Sequence, residues 1–548
     1  IVPFIILLGL LIFVHEMGHF LVAKFFGVRV EVFSLGFGKK IYQFKRGDTT
    51  YCISIVPLGG YVKMYGDEPG ADIPADQKQY SFTHKPVGQR ILVVLAGPLM
   101  NFFFAILVFA VMAGVGEQLV QPNLGDIATS SQASKDGFQS GDHVISVNDQ
   151  AIHSWDEFQD RIETSAGKQI TVQVARDGHP VNVTSTPQQV RNKNPMSTRL
   201  YVGEVEGLSY NSKASLVAVR SGKPNLAAQN GFRTGDQIES INGAKVVTWR
   251  DLLNVLPQQA SKGELTITLE RSHDAKSTKI DALTLSLNVP PEMQKLSGGE
   301  LLAALGFDLP DLYLAQVIDK SPAREAGLSE GDHILSVGGH TIQKWDEVMD
   351  FVKAFKPGDH PVQVVVDRQG EQKTFTITPQ LKKQMTPQGK EEERFILGIM
   401  PTLVMAAPDF YIQRASNPLS AGLRGLELSW KWTKLTIIGF VRLIENDVSP
   451  KNIGGVISIA QVASRSFEAG LSAFLSIMAI ISINLFIVNL LPVPVLDGGH
   501  LLFYSLEAIR GRPLNIKVLE IAQQIGLVLL VSLMAFALFN DFSRSFNL

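Results

Sequence analysis

The chain has 548 residues, 45% of them hydrophobic, with 50 basic against 52 acidic side chains and one cysteine. That charge balance lacks the basic surplus a nucleic-acid partner requires, and a lone cysteine excludes a disulfide framework. The length allows several domains, and the placement of the charges says more than their sum.

The chain opens on IVPFIILLGLLIFV, which has no charge, and continues as HEMGHFLV. Residues 1–26 reach the roughly 18–20 residues of a membrane span only if His15 and Glu16 lie inside it. No basic n-region or small-residue cleavage site is visible, so a signal peptide is the poorer reading. A carboxylate at such depth costs roughly 2.5–3.5 kcal/mol on insertion scales, which makes Glu16 a functional candidate. His15 and His19 stand four apart, on one helix face and about 6 Å apart along the axis, so both imidazoles can reach one Zn2+. Glu16 projects beside them, placed to take a proton from water rather than to bind metal. The H-E-x-x-H pattern is short enough to recur by chance. In hydrocarbon, however, three polar groups without a metal would each need an internal partner.

Residues 27–90 form a loop rich in Lys and Arg, in which VRVEVFSLGF and TTYCISIVPL read as strands. A second charge-free span covers 91–116. Further on, 469–500 and 521–548 hold the third and fourth, joined by a loop at 501–520 with Arg510, Arg512 and Lys517. The basic loops are expected in the cytoplasm, leaving the termini and the long central region outside.

The central region repeats itself. GFQSGDHVISVN at 137, GFRTGDQIESING at 231 and GLSEGDHILSVGG at 327 are each followed at one interval by Trp155, Trp249 and Trp345. Fixed periodicity means one unit used three times, a strand after a glycine turn and then a helix. We assign the copies to 117–195, 196–292 and 293–384. They resemble PDZ domains of the bacterial protease-associated kind, best in SPAREAGLSEGDHILSVGGHTI at 321–342. That resemblance implies α+β modules with a groove that can accept peptide termini by strand addition. The glycines and tryptophans themselves read as scaffold.

Residues 385–468 hold a linker strand and PLSAGLRGLELSWKWTKLTIIGFVRL, whose Leu419, Leu423, Leu426, Trp430, Ile437 and Val441 form one helical stripe. This is the signature of an interfacial amphipathic helix. In the third span, Asp497 is the one charge within NLLPVPVLDGGH. Pro492 and Pro494 forbid a continuous helix, and Gly498 and Gly499 let the backbone turn closely. A broken helix at membrane depth faces protein or a cavity, so Asp497 is the candidate third zinc ligand. An N-cap role for Asp497 is the alternative, and His500 is a weaker rival ligand.

Together, HEMGH and NLLPVPVLDGG resemble the site-two protease family of intramembrane zinc proteases, in its bacterial, PDZ-bearing RseP-type branch. SLGFGKK, PLGGYVKMYGDE and GPLMNFFFA match it as well. The resemblance implies a four-span helical membrane protein of the bacterial inner membrane, with periplasmic PDZ modules. It implies zinc on His15, His19 and Asp497, and water activated by Glu16. Asn489 and Asn484 correspond to family asparagines near the active site that contact substrate or the reaction centre; hydrogen bonding between helices is the alternative. Residues 30–65, with Gly36, Gly38, Gly59 and Gly60, resemble the family's membrane-re-entrant β-hairpin, thought to pair with unwound substrate. Members usually carry two PDZ modules, whereas three are counted here. The expected activity is cleavage within the spans of pre-cut single-span membrane proteins, an anti-sigma factor or remnant signal peptides. A non-catalytic PDZ scaffold is the rival. A transporter would want inverted repeats and more spans.

Overall fold

The computed structural model describes residues 2–546, apart from 69–72, 129–130, 193, 195, 221–224, 273–279, 343, 386–390, 446 and 513. Two compact units emerge. One joins Ile1–Leu119, Asn192–Leu200 and Ile412–Leu548; the other joins Val120–Arg191 and Tyr201–Tyr411.

The first unit is built on helices Val2–Phe25 (α1), Val87–Val115 (α2), Pro418–Ile444 (α3), Val456–Glu468 (α4), Leu471–Asn489 (α5), Asp497–Arg510 (α6) and Ile516–Phe546 (α7). Of these, α1, α2, α5 and α7 are long and apolar enough to cross a membrane. Lipid provides no hydrophobic drive between helices, so close van der Waals packing at small residues holds them. Gly18 of α1 is one such place: a Cβ there would run into the Ala96 carbonyl of α2. Leu7 and Leu11 pack with Ala463, Phe474 and Met478, tying α1 to α4 and α5. Ala105, Val108 and Phe109 of α2 meet Ala479 and Ile483 of α5.

The strands Val30–Arg46 (β1) and Thr49–Met64 (β2) do more than form a hairpin. Arg46 lies opposite Thr49 near the turn, but Leu35 lies opposite both Gly60 and Ile53. The two strands thus fold back into a small sheet whose centre is residues 32–35. Gly36 and Gly38, at φ 88° and 84°, permit the irregularity. Phe33 packs edge-on against Phe20 and Phe13, with centroids 5.4 and 6.0 Å away, which seats the sheet on α1.

One element differs from the sequence expectation, and a second adds detail to it. The region 501–520, expected as a loop, is helical as far as Arg510, where Gly511 at φ 68° ends α6. Arg90 donates to both oxygens of Glu507 at 3.1 and 2.8 Å, pinning α6 to the first turn of α2. The apolar stripe of α3 is also not its packing face. Leu419, Leu423 and Trp430 stay exposed, whereas Ala421, Gly425, Ser429 and Thr433 are buried. Gly425 is in contact with α2, since a Cβ there would stand 2.5 Å from the Ile106 carbonyl. The small-residue row docks α3, and the apolar stripe stays exposed.

The second unit contains three hydrophobic cores, one per repeat: around Phe158 and Val172, around Ile238 and Leu265, and around Ile334 and Val364. Each glycine turn leads into a strand, and each tryptophan opens a helix: Trp155–Thr164, Trp249–Ala260 and Trp345–Ala354. One device recurs in all three. Arg176, Arg271 and Arg368 each clamp a buried aspartate (Asp142, Asp236, Asp332) through two nitrogens and donate to a glycine carbonyl as well. These bonds push the three guanidinium pKa values up.

Candidate metal centre

α1 brings His15 and His19 to one face, as the i, i+4 spacing requires. Asp497 arrives from the other end of the sequence. α5 stops at Asn489, and the chain passes through Leu490–Leu496 before α6 begins at Asp497. The turn is tight: a Cβ on Gly498 would strike the Leu490 and Leu491 carbonyls, and one on Gly499 the Val493 carbonyl. Asp497 is the first residue of α6, and its N-cap is Leu496. The carboxylate is therefore not spent on capping; it reaches across to α1.

His15 Nε2 lies 3.1 Å from Asp497 Oδ2, His19 Nε2 lies 3.6 Å from it, and the two Nε2 atoms are 3.2 Å apart. Tetrahedral zinc with bonds of 2.0–2.1 Å separates its ligand atoms by about 3.3 Å. The triangle fits that ion, and all three side chains are less than one-fifth exposed. Among the described residues this is the only His/Cys/Asp/Glu group able to hold a metal.

The histidines are oriented from α2. His19 Nδ1 donates to the Val93 carbonyl at 2.9 Å, so Nε2 keeps its lone pair free. Gly97 makes room, because a Cβ there would overlap the His19 ring. Pro98 follows inside α2 and removes an N–H from that turn. His15 Nδ1 lies 3.2 Å from Nδ2 of the fully buried Asn101. Glu16 shares α1 with the histidines. Gly60 of β2 comes close beside it, a Cβ there standing 2.9 Å from Glu16 Cγ.

The comparisons with known proteins fall on this arrangement. Residues 3–533 match Peptidase family M50. The chain belongs to this peptidase family. Curated members include the regulator of sigma-E protease RseP of Salmonella typhimurium, 32% identical over 543 residues that cover 99% of this chain and 98% of that one. The counterpart in Escherichia coli is 31% identical over 545 residues, with the same coverage. A Vibrio cholerae relative whose name describes a zinc metalloprotease is 30% identical over 549 residues. A solved PDZ domain protein from Parabacteroides distasonis aligns with 54% of this chain and 95% of that one, at 9% identity and a TM-score of 0.13, too low to bear on the fold. As an M50 member, the chain is a membrane-embedded metalloprotease of the site-two type.

Other candidates from the sequence fall elsewhere. His500 lines a cavity of about 630 Å3 with Arg90, Tyr504 and Glu507, outside the metal-binding group. Asn484 Oδ1 accepts from Thr436 Oγ1 at 2.8 Å, a link between α5 and α3. Asn489 is the half-buried last residue of α5. Gly36 and Gly38 serve the sheet, whereas Gly60 is a hairpin glycine packed on Glu16. Sequence reasoning passed over Asn101 and Val93. For Asn101 a signal existed, since it is the lone polar side chain in 91–116. Val93 acts through its backbone and carries no such mark.

Proposed function

We propose that His15, His19 and Asp497 hold one zinc ion and that Glu16 is the general base for hydrolysis of peptide bonds within membrane-spanning segments. The near-tetrahedral triangle of donor atoms carries the reading. Zinc bound there supplies Lewis acidity and water ionisable near neutral pH. Glu16, adjacent to His15 on α1, takes the proton from the attacking water and returns it to the leaving amine. Asn489, at the break between α5 and α6, offers an amide to the substrate backbone or the developing oxyanion. Asn484 belongs with it as a second amide of α5, already engaged by Thr436.

A substrate helix must unwind before its carbonyls are open to attack, and unpaired amides in lipid are costly. The β1–β2 sheet, with Gly36 and Gly38 at its irregular centre, replaces those bonds by strand addition. The packing of Gly60 against Glu16 supports this, because it sets one strand beside the catalytic helix. The three modules of the second unit are read as PDZ-like domains on the periplasmic side of the bacterial inner membrane. There they take peptide termini or exclude substrates that have not been cut. Relatives named as regulators of sigma-E support a role in regulated proteolysis, and we read the substrates as single-span membrane proteins shortened beforehand.

Purified wild type and Glu16→Gln, incubated with a truncated single-span substrate, test the assignment. Glu16→Gln is expected to keep its zinc and lose cleavage by at least about 100-fold, the lower range for a general base. Equal cleavage by both proteins removes Glu16 from the chemistry, whereas no cleavage by zinc-loaded wild type favours the scaffold reading.

A further inference from the structure

We infer that Asn101 of α2 is a positioning residue for the metal centre, accepting the Nδ1 proton of His15 so that Nε2 is bare toward the metal. The inference rests on the zinc reading above. Asn101 is 0% exposed in the middle of a membrane span, where an amide needs partners. Its backbone is held in place, because Ser482 Oγ of α5 donates to the Asn101 carbonyl at 2.8 Å. Its side chain stands 3.2 Å from His15 Nδ1 and, among the described residues, its Oδ1 has no hydrogen-bond partner.

The chemistry of the ring decides what the amide must do. With Nδ2 toward the ring, Asn101 donates to Nδ1, and the ring proton sits on Nε2, which points at Asp497 Oδ2 3.1 Å away. A histidine that binds metal through Nε2 carries its proton on Nδ1 instead, and two donors then face each other. Half a turn of the amide about its last side-chain bond exchanges Nδ2 for Oδ1. That rotation pairs the orphaned oxygen with the Nδ1 proton. His19 has the same relation to a fixed acceptor, the Val93 carbonyl. α2 thus orients both histidines of α1, one through its backbone and one through the side chain of Asn101.

The test measures zinc retention by full-length protein against a graded chelator, for wild type, Asn101→Asp and Asn101→Leu. Asp keeps an acceptor oxygen, whereas Leu keeps the volume and removes it. Asn101→Leu is expected to release zinc at about 10–100-fold lower chelator concentration than wild type, with Asn101→Asp within about 3-fold of wild type. Wild-type retention by Asn101→Leu overturns the inference, as does equal loss in both variants, which marks a packing role. Purified wild type without zinc fails the underlying reading instead, and so the two failures are distinguishable.

Discussion

His19 can present a lone pair at Nε2 because the Val93 carbonyl, which can only accept, holds its other nitrogen. That geometry depends on a missing side chain. Gly97→Ala places a methyl group on the His19 ring and is expected to reduce bound zinc and cleavage together. Gly9→Ala, on the same helix as the histidines with nothing within 4 Å, is the control and should change neither. Metal analysis of the purified variants checks both. At this scale the sequence was readable where chemistry is carried by side chains of unusual type. Two histidines and a glutamate in an apolar run, and one aspartate between prolines and glycines, mark themselves by their cost in lipid. Val93 acts through its backbone carbonyl, which no residue type announces.

Among the elements, α3 shows how a pattern can be right and its orientation incomplete. The apolar stripe of Leu419, Leu423 and Trp430 is present but unpacked, and contact runs along Ala421, Gly425, Ser429 and Thr433. In water an apolar stripe turns inward; against lipid, small residues make the contact because they let backbones approach. Gly425→Ala, 2.5 Å from the Ile106 carbonyl, should loosen α3 from α2 and lower the melting temperature in detergent. Gly422→Ala, which meets nothing within 4 Å, should leave it unchanged. In the repeats, the glycine turns and tryptophans were legible from their fixed interval. The Arg–Asp clamps were not, although their separations of 34, 35 and 36 residues are nearly constant. An arginine ending a strand looks like any solvated charge until its partner is known. Arg368→Met leaves Asp332 buried with the Ser329 N–H as remaining donor, and should cost about 3 kcal/mol, the low end for a broken buried pair. Hydrogen exchange should rise across 312–399 and not across 124–205.

The third repeat also carries a titratable group. His333 stacks on Tyr313 at 4.3 Å, and burial pushes its pKa below the ordinary imidazole value, against the pull of Asp308 and Asp367. The folded state disfavours the charged ring. Its contribution is therefore present above about pH 6.5 and lost as pH falls through the depressed folded value. Acid should weaken protection in this repeat, and His333→Gln should flatten that dependence.

For the molecule as a whole, four apolar helices and three repeats were visible from charge-free stretches and self-similarity alone. The break near residue 490 that returns Asp497 to a helix ended at residue 25 was legible too, from its prolines and glycines; what stayed hidden was the packing of α2 on both histidines. Because each repeat has its own core, metal removal should abolish cleavage while leaving hydrogen exchange across 124–399 unchanged.

The most direct measurement is zinc X-ray absorption on purified wild type beside His15→Ala and Asp497→Ala. We expect about one zinc per chain, with two imidazole nitrogens and carboxylate or water oxygens at about 2.0–2.2 Å, and loss of that zinc in either variant. Sulfur ligation, or zinc retained in full by both variants, would contradict a centre built from α1 and the start of α6.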